Sequence, residues 1–204
     1  MCGRFFVGGD FRNRLNGLLQ AEGIVPPVLT YKEPGQDVFP SGASAVIHAA
    51  NGRLAVSDML WGYSNPYRKG LIINARAETV MEKNLFADSI MNRRCIIPAS
   101  GFYEWDPYKA RFRFTDPRDG LIFLAGIYHE EQGRHHYTIL TTQANESMQP
   151  VHDRMPVMIG RNEIRSWIGD RDKISEFLTR QQARLESEQD AGQISLSSFM
   201  AEQP

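Results

Sequence analysis

Two apolar runs, SAVIHAA and RLAVSDMLWGY, stand on either side of Asn51-Gly52. Asn-Gly supplies the two positive-φ residues of a tight turn, so the stretch predicts a β-hairpin. GLIINARAE predicts a buried strand, and RCIIPASGFYEW, RFRFT, LIFLAGIYHE and HHYTILTT are further strand candidates, rich in β-branched and aromatic residues. Helical patterning is confined to three places. DFRNRLNGLLQAEG has Asp10 as N-cap, Leu15, Leu18 and Leu19 on one face, and Gly23 at its end. EKNLFADSIMNR turns Leu85, Phe86 and Ile90 inward, and NEIRSWIGDRDKISEFLTRQQARLESEQD is charged and helix-favouring. Strands outnumber helices without alternating with them. That argues against a parallel α/β fold and predicts one α+β domain.

The 204 residues suffice for a single domain with a sizeable core, and no repeat, low-complexity tract or linker divides them. With 42% apolar and 23% charged residues, the composition is that of a globular chain. A net charge of −1 excludes a protein that coats nucleic acid by uniform positive charge, but not a local basic groove. Two cysteines, Cys2 and Cys95, make neither a disulfide framework nor a CxxC pair. Cys95, inside RRCIIPA, reads as a small buried hydrophobe. No apolar run is long enough to span a bilayer, and the N-terminus lacks a signal peptide's apolar core. The expectation is a soluble, cytoplasmic protein.

Four stretches combine reactive or charged residues with strand ends and turns: MCGRF, INARAET, GFYEW and VHDRMP. If Met1 is removed, Cys2 carries a free α-amine beside its thiol. Such a 1,2-aminothiol condenses with an aldehyde to an imine, which the thiol closes to a thiazolidine; an internal cysteine cannot do this. From position alone, a cysteine at residue 2 is more often incidental. In INARAET, alternation puts Asn74 and Arg76 on one side of an extended segment, suited to a phosphate and a polar group, although Arg76 and Glu78 could instead form a surface pair. Glu104 lies between Tyr103 and Trp105, where desolvation would raise its pKa and suit it to proton transfer; the alternative is a carboxylate pointing to solvent. His152 sits between a Pro-containing turn and an apolar strand, whereas His129, His135 and His136 read as surface. No metal-ligand spacing, P-loop, GxGxxG or GxSxG pattern occurs, so no metal or cofactor is expected.

In this order the four motifs resemble the SRAP (SOS response-associated peptidase) family, from residue 2 to about residue 168. The resemblance implies a β-rich, barrel-like core of mixed and antiparallel strands with a few flanking helices, followed by a divergent helical segment over 169–204. It implies a monomeric protein that binds single-stranded DNA and traps the ring-opened aldehyde of an abasic site as a reversible thiazolidine crosslink, with lyase activity and N-terminal self-processing. Cys2 would be the nucleophile, Asn74 would orient it, Glu104 would shuttle protons, and His152 would assist ring opening and reversal. Arg4 and Arg76 would grip flanking phosphates, with Arg154 on the same DNA surface. Trp61 would stack near the bases, Thr141 would make a polar contact, and Pro40 in DVFPSG matches the family's DNA-side loop. Two other functions remain open at this point: a cysteine hydrolase using Cys2 and His152, and a non-covalent single-strand-binding module.

Overall fold

The computed structural model describes residues 2–24 and 36–190. Met1, most of the Pro-bearing loop before Gln36, and the final stretch GQISLSSFMAEQP lie outside the described residues. In chain order the elements are β1 (Arg4–Val7), α1 (Phe11–Ala21), β2 (Gln36–Val38), β3 (Ala43–Ala50), β4 (Arg53–Trp61), β5 (Tyr63–Ser64), β6 (Leu71–Ile72) and β7 (Asn74–Arg76). They continue with α2 (Asn84–Asn92), β8 (Arg94–Ala99), β9 (Gly101–Trp105), β10 (Arg111–Thr115), β11 (Ile122–Glu131), β12 (Arg134–Gln143), β13 (Arg154–Pro156), α3 (Ile164–Gly169), α4 (Ile174–Thr179) and β14 (Glu186–Gln189).

The Asn51-Gly52 hairpin forms as its sequence demands: both residues have positive φ, 52° and 73°, and β3 pairs with β4 along its whole length. From this hairpin a ring closes. β8 pairs with β3, β11 with β8, β12 with β11, and β12 returns to β4 in parallel. Closure leaves no free edge among these strands. β13 and β7 attach to the far end of β12, β7 in parallel.

Alternation along the ring strands separates two cores. Ile96, Phe123, Ala125, Ile127 and Leu140 pack with Leu15, Leu19, Phe86, Ile90, Trp167 and Phe177 from the four helices. Cys95, Ile97, Leu124, Tyr137 and Ile139 point the other way, into a core shared with Phe5, Phe102 and Phe114. Those three phenylalanines belong to a second sheet, ordered β14-β10-β9-β1-β2. Cys95 is buried, as its apolar run predicts.

Four sequence expectations about the elements need correction. RCIIPASGFYEW is not one strand: it divides at Ser100, so β8 serves the ring and β9 the second sheet. Ser100 secures the crossing by donating its N–H to Phe6 O and accepting from Gly8 N. Beside it, a Cβ on Gly101 would meet Phe114 O at 2.3 Å, so only glycine permits that approach. GLIINARAE likewise breaks at Ile73 into β6 and β7, and Leu71 is exposed because β6 pairs only with short β5. Past residue 169 the chain is not uniformly helical: α4 is brief, and Glu186–Gln189 is extended as β14, paired antiparallel with β10. Asp10 does begin α1, but its side chain caps no backbone N–H and instead pairs with Arg14 at 2.9 Å.

Candidate active site

Residues 2–5 reach the site because β1 is held on both sides. Phe5 faces Val38 of β2 and Phe102 of β9 across the sheet and is fully buried, anchoring the segment in the core. Cys2 lies just before this strand and is 1% exposed, in the same apolar cluster as Trp61, Met148 and Val151. Its backbone carbonyl accepts a hydrogen bond from Asn74 Nδ2 at 3.0 Å. Asn74 Oδ1 is buried and has no hydrogen-bond partner among the described residues. β7 holds Asn74 at this place through its parallel pairing with β12.

Glu104 is 3% exposed and belongs to the buried face of β9. Tyr103 and Trp105 are on the opposite face by strand alternation. Its burial therefore comes from the interior, not from the flanking rings. Glu104 Oε1 lies 3.4 Å from His152 Nε2. His152 Nδ1 lies 2.9 Å from the backbone N–H of Arg154 and 2.8 Å from Asp153 Oδ1. These two contacts require opposite tautomers. The backbone donor is fixed, whereas Asp153 is largely solvated, so Nδ1 accepts from Arg154 and the ring proton sits on Nε2, toward Glu104. Burial first, and the Glu104 charge second, push the Cys2 thiol well above its ordinary pKa. Its resting form is thus the neutral thiol.

The charged and aromatic candidates divide. Arg4 is half-buried, bonds Asp37 Oδ2 at 3.4 Å, and lies over the rings of Phe39 at 4.5 Å and Trp105 at 5.2 Å. Arg76 is exposed and has no ion pair among the described residues; Glu78 does not pair with it. Glu78 is instead gripped by Arg154 through two bonds of 2.6 and 2.8 Å, while Arg154 also donates to Thr141 O at 2.6 Å. That hold keeps the Glu78 carboxyl below its ordinary pKa. Arg154 is thus mostly buried and committed within the protein.

Trp61 and Thr141 are not on a DNA-accessible surface. Trp61 is 0% exposed, bonds Ile73 O at 3.0 Å through Nε1, and packs between Phe5 and Tyr137. It offers no face to a base, because the ring of strands closes over it. Thr141 is fully buried in β12, with its hydroxyl 3.5 Å from Ala75 O. Pro40 is half-buried beside Phe39, which is exposed. The histidines of the β11–β12 hairpin are not free surface groups either: His129 stacks on Tyr63 at 3.8 Å, and His136 Nδ1 lies 2.9 Å from Gly62 O. Sequence alone gave no sign of Asp37, and it offered Arg76 rather than Arg154 as the partner of Glu78, because the true partners lie 33 and 76 residues away. Among the described residues, no three His, Cys, Asp or Glu side chains converge as metal ligands, and no helix is long and apolar enough to cross a membrane.

Solved structures of proteins from Bordetella bronchiseptica and Bacteroides thetaiotaomicron share the fold, each with a TM-score of 0.74. The first is 22% identical, covering 93% of this chain and 99% of that one; the second is 18% identical, covering 100% and 96%. The family model described as SOS response associated peptidase (SRAP) matches residues 1–195, and the chain belongs to this family. Among its relatives are the abasic site processing protein YoaM of Bacillus subtilis, 33% identical over 87% of this chain and 83% of that protein, and the abasic site processing protein YedK of Escherichia coli, 28% identical over 82% and 79%.

Proposed function

We propose that this protein captures abasic sites in single-stranded DNA by forming a covalent, reversible thiazolidine through Cys2, once Met1 is removed. The observation that carries this is the arrangement around Cys2: its carbonyl is tethered by Asn74, and its thiol is buried under the influence of Glu104, which faces His152. The names of the family's relatives support an abasic-site substrate.

The chemistry follows from these groups. The α-amine of Cys2 adds to the aldehyde carbon of the ring-opened sugar, giving a carbinolamine. Glu104 takes a proton from nitrogen and returns one to the departing hydroxyl, leaving an imine and water. The thiol then adds to the imine carbon, and its proton passes to nitrogen as the five-membered ring closes. A thiol held neutral suits this order, because nitrogen attacks first and sulfur brings the proton that the imine needs. The Nε2–H of His152, directed at Glu104, is placed to return protons when the ring reopens. The imine also acidifies the adjacent sugar carbon, which permits β-elimination as a slower lyase branch. Arg4 and Arg76, together with Phe39, form the strand-binding side. A cysteine hydrolase with His152 as base has less support, because Nε2 faces Glu104 and burial opposes a thiolate.

The test is incubation with an abasic oligonucleotide and with an intact control, followed by a denaturing gel. A covalent band appears with the abasic strand alone and is lost in Cys2→Ala. Persistence of Met1 in the intact mass of active protein would sink the thiazolidine mechanism.

A further inference from the structure

Among the large hydrophobic side chains of the described residues, Tyr67 and Tyr108 are the most exposed, 89% and 85% accessible. Both occupy the same local construction. Each follows an Asx-Pro pair, in Asn65-Pro66-Tyr67 and Asp106-Pro107-Tyr108, and each precedes a basic residue, Arg68 or Lys109. In each, the Asx carboxyl or amide oxygen accepts the tyrosine N–H, at 3.0 Å for Asn65 and 2.9 Å for Asp106.

The Tyr108 turn is the more rigid. Asp106 Oδ1 also accepts from Ala110 N at 2.8 Å, while Asp106 N donates to Ala110 O and Lys109 N to Asp106 O, each at 3.0 Å. Proline fixes the φ of residue 107. Lys109 adopts a left-handed φ of 69°, and it has no ion-pair partner among the described residues. A ring held almost fully in water on a turn that cannot collapse gains nothing for folding. The backbone beneath it is already fixed, so contact with a ligand has only the side chain left to order.

The position of this turn indicates the ligand. It joins β9 to β10, and β9 carries Glu104. Arg4 faces Tyr103 in the β1–β9 ladder, and Trp105 ends β9 immediately before the turn. Arg4 already lies over Trp105, making the turn continuous with the strand-binding side described above. An aromatic face beside an uncompensated lysine matches an unpaired base and its phosphate. We propose that the Tyr108–Lys109 turn is a stacking platform for a base flanking the captured lesion. This rests on the proposed function, whose substrate it extends by at least one ordered nucleotide on one side.

The test uses the full chain, a fluorescein-labelled intact single strand, and anisotropy. Tyr108→Ala weakens binding about fivefold or more, while Tyr108→Phe binds within about twofold of the unaltered protein, since the ring face and not the hydroxyl makes the contact. Lys109→Ala lowers the slope of log affinity against log salt by about 0.7. When an abasic oligonucleotide replaces the intact strand and is trimmed toward the lesion from the end that reaches the turn, the difference in crosslinking rate between Tyr108→Ala and the unaltered protein closes. Affinity of Tyr108→Ala within twofold of the unaltered protein on every strand overturns the proposal while leaving the crosslinking function intact; the turn would then face a protein or solvent. Failure of the unaltered protein to bind or crosslink any strand overturns both.

Discussion

Two of the buried polar clusters among the described residues are built to opposite specifications. The first centres on Arg94 of β8, 3% exposed. Its guanidinium donates to Ile90 O and Met91 O at the end of α2, and to Trp167 O and Ile168 O at the end of α3. Each donor meets a carbonyl that a helix end would otherwise leave unsatisfied, and the charge suits the negative ends of both helix dipoles. The second is the Cys2, Asn74, Glu104 and His152 group. There, Asn74 Oδ1 has no partner among the described residues, the thiol is pushed away from ionisation, and a carboxylate and an imidazole meet at 3.4 Å. A closed cluster holds elements together. One with an acceptor to spare is poised for something that arrives later.

The comparison predicts opposite effects from substitutions that look alike. Glu104→Gln, nearly isosteric, should slow crosslinking on the order of a hundredfold or more while leaving the melting temperature nearly level, because the amide fills the same buried place but cannot carry the proton. Single-turnover gels and calorimetry read the two quantities. A large fall in melting temperature would place Glu104 with Arg94, as a structural group. Arg94→Met should do the reverse. Leaving helix-end carbonyls without donors should cost about 3 kcal/mol in urea unfolding, with the folded fraction crosslinking at an unchanged rate.

A smaller effect tests where Arg154 belongs. Glu78→Gln weakens a partly exposed pair and should cost about 1 kcal/mol or less. By loosening the Arg154 fork it should also raise affinity for an intact strand and steepen its salt dependence by about 0.7 in slope, as one more phosphate is engaged. A fall in affinity would mean that Arg154 contacts DNA while Glu78 holds it. The smallest effect concerns His48. Burial above all lowers its pKa, reinforced by His135 and opposed by the Ala49 carbonyl. The unfolded chain gains a proton below about pH 6.5 that the folded chain resists, so this contribution is complete above that pH and lost as pH falls. Melting temperature should therefore drop between about pH 7.5 and about pH 5.5, and drop less in His48→Gln.

Much of the fold was legible where local chemistry decides it. Asn51-Gly52 sets its hairpin, and Leu15, Leu18 and Leu19 face the core as their spacing requires. The break at Ser100 was missed because a single Ser100-Gly101 step separates two strand-like stretches, too short to read as a loop, and only the sheets they join tell them apart. The candidate site divides in the same way. Cys2, Asn74, Glu104 and His152 were legible from the order of four motifs, and those four side chains come together. Trp61 looked like a surface aromatic because nothing local says that the ring closes over it, and Arg154 looked free because its partner Glu78 is remote in sequence. Strand alternation says which residues share a face, but not whether that face meets water.

The depth of Cys2 has a consequence in redox chemistry. Sulfenic, sulfinic and sulfonic acids form from exposed thiolates, and the last two steps are generally irreversible. A thiol that is 1% exposed and held neutral by burial and by Glu104 is a poor target for peroxide. Under the proposed function, the packing that holds the Cys2 thiol neutral would also preserve it under oxidative conditions, so its reactivity would last as long as the fold around it.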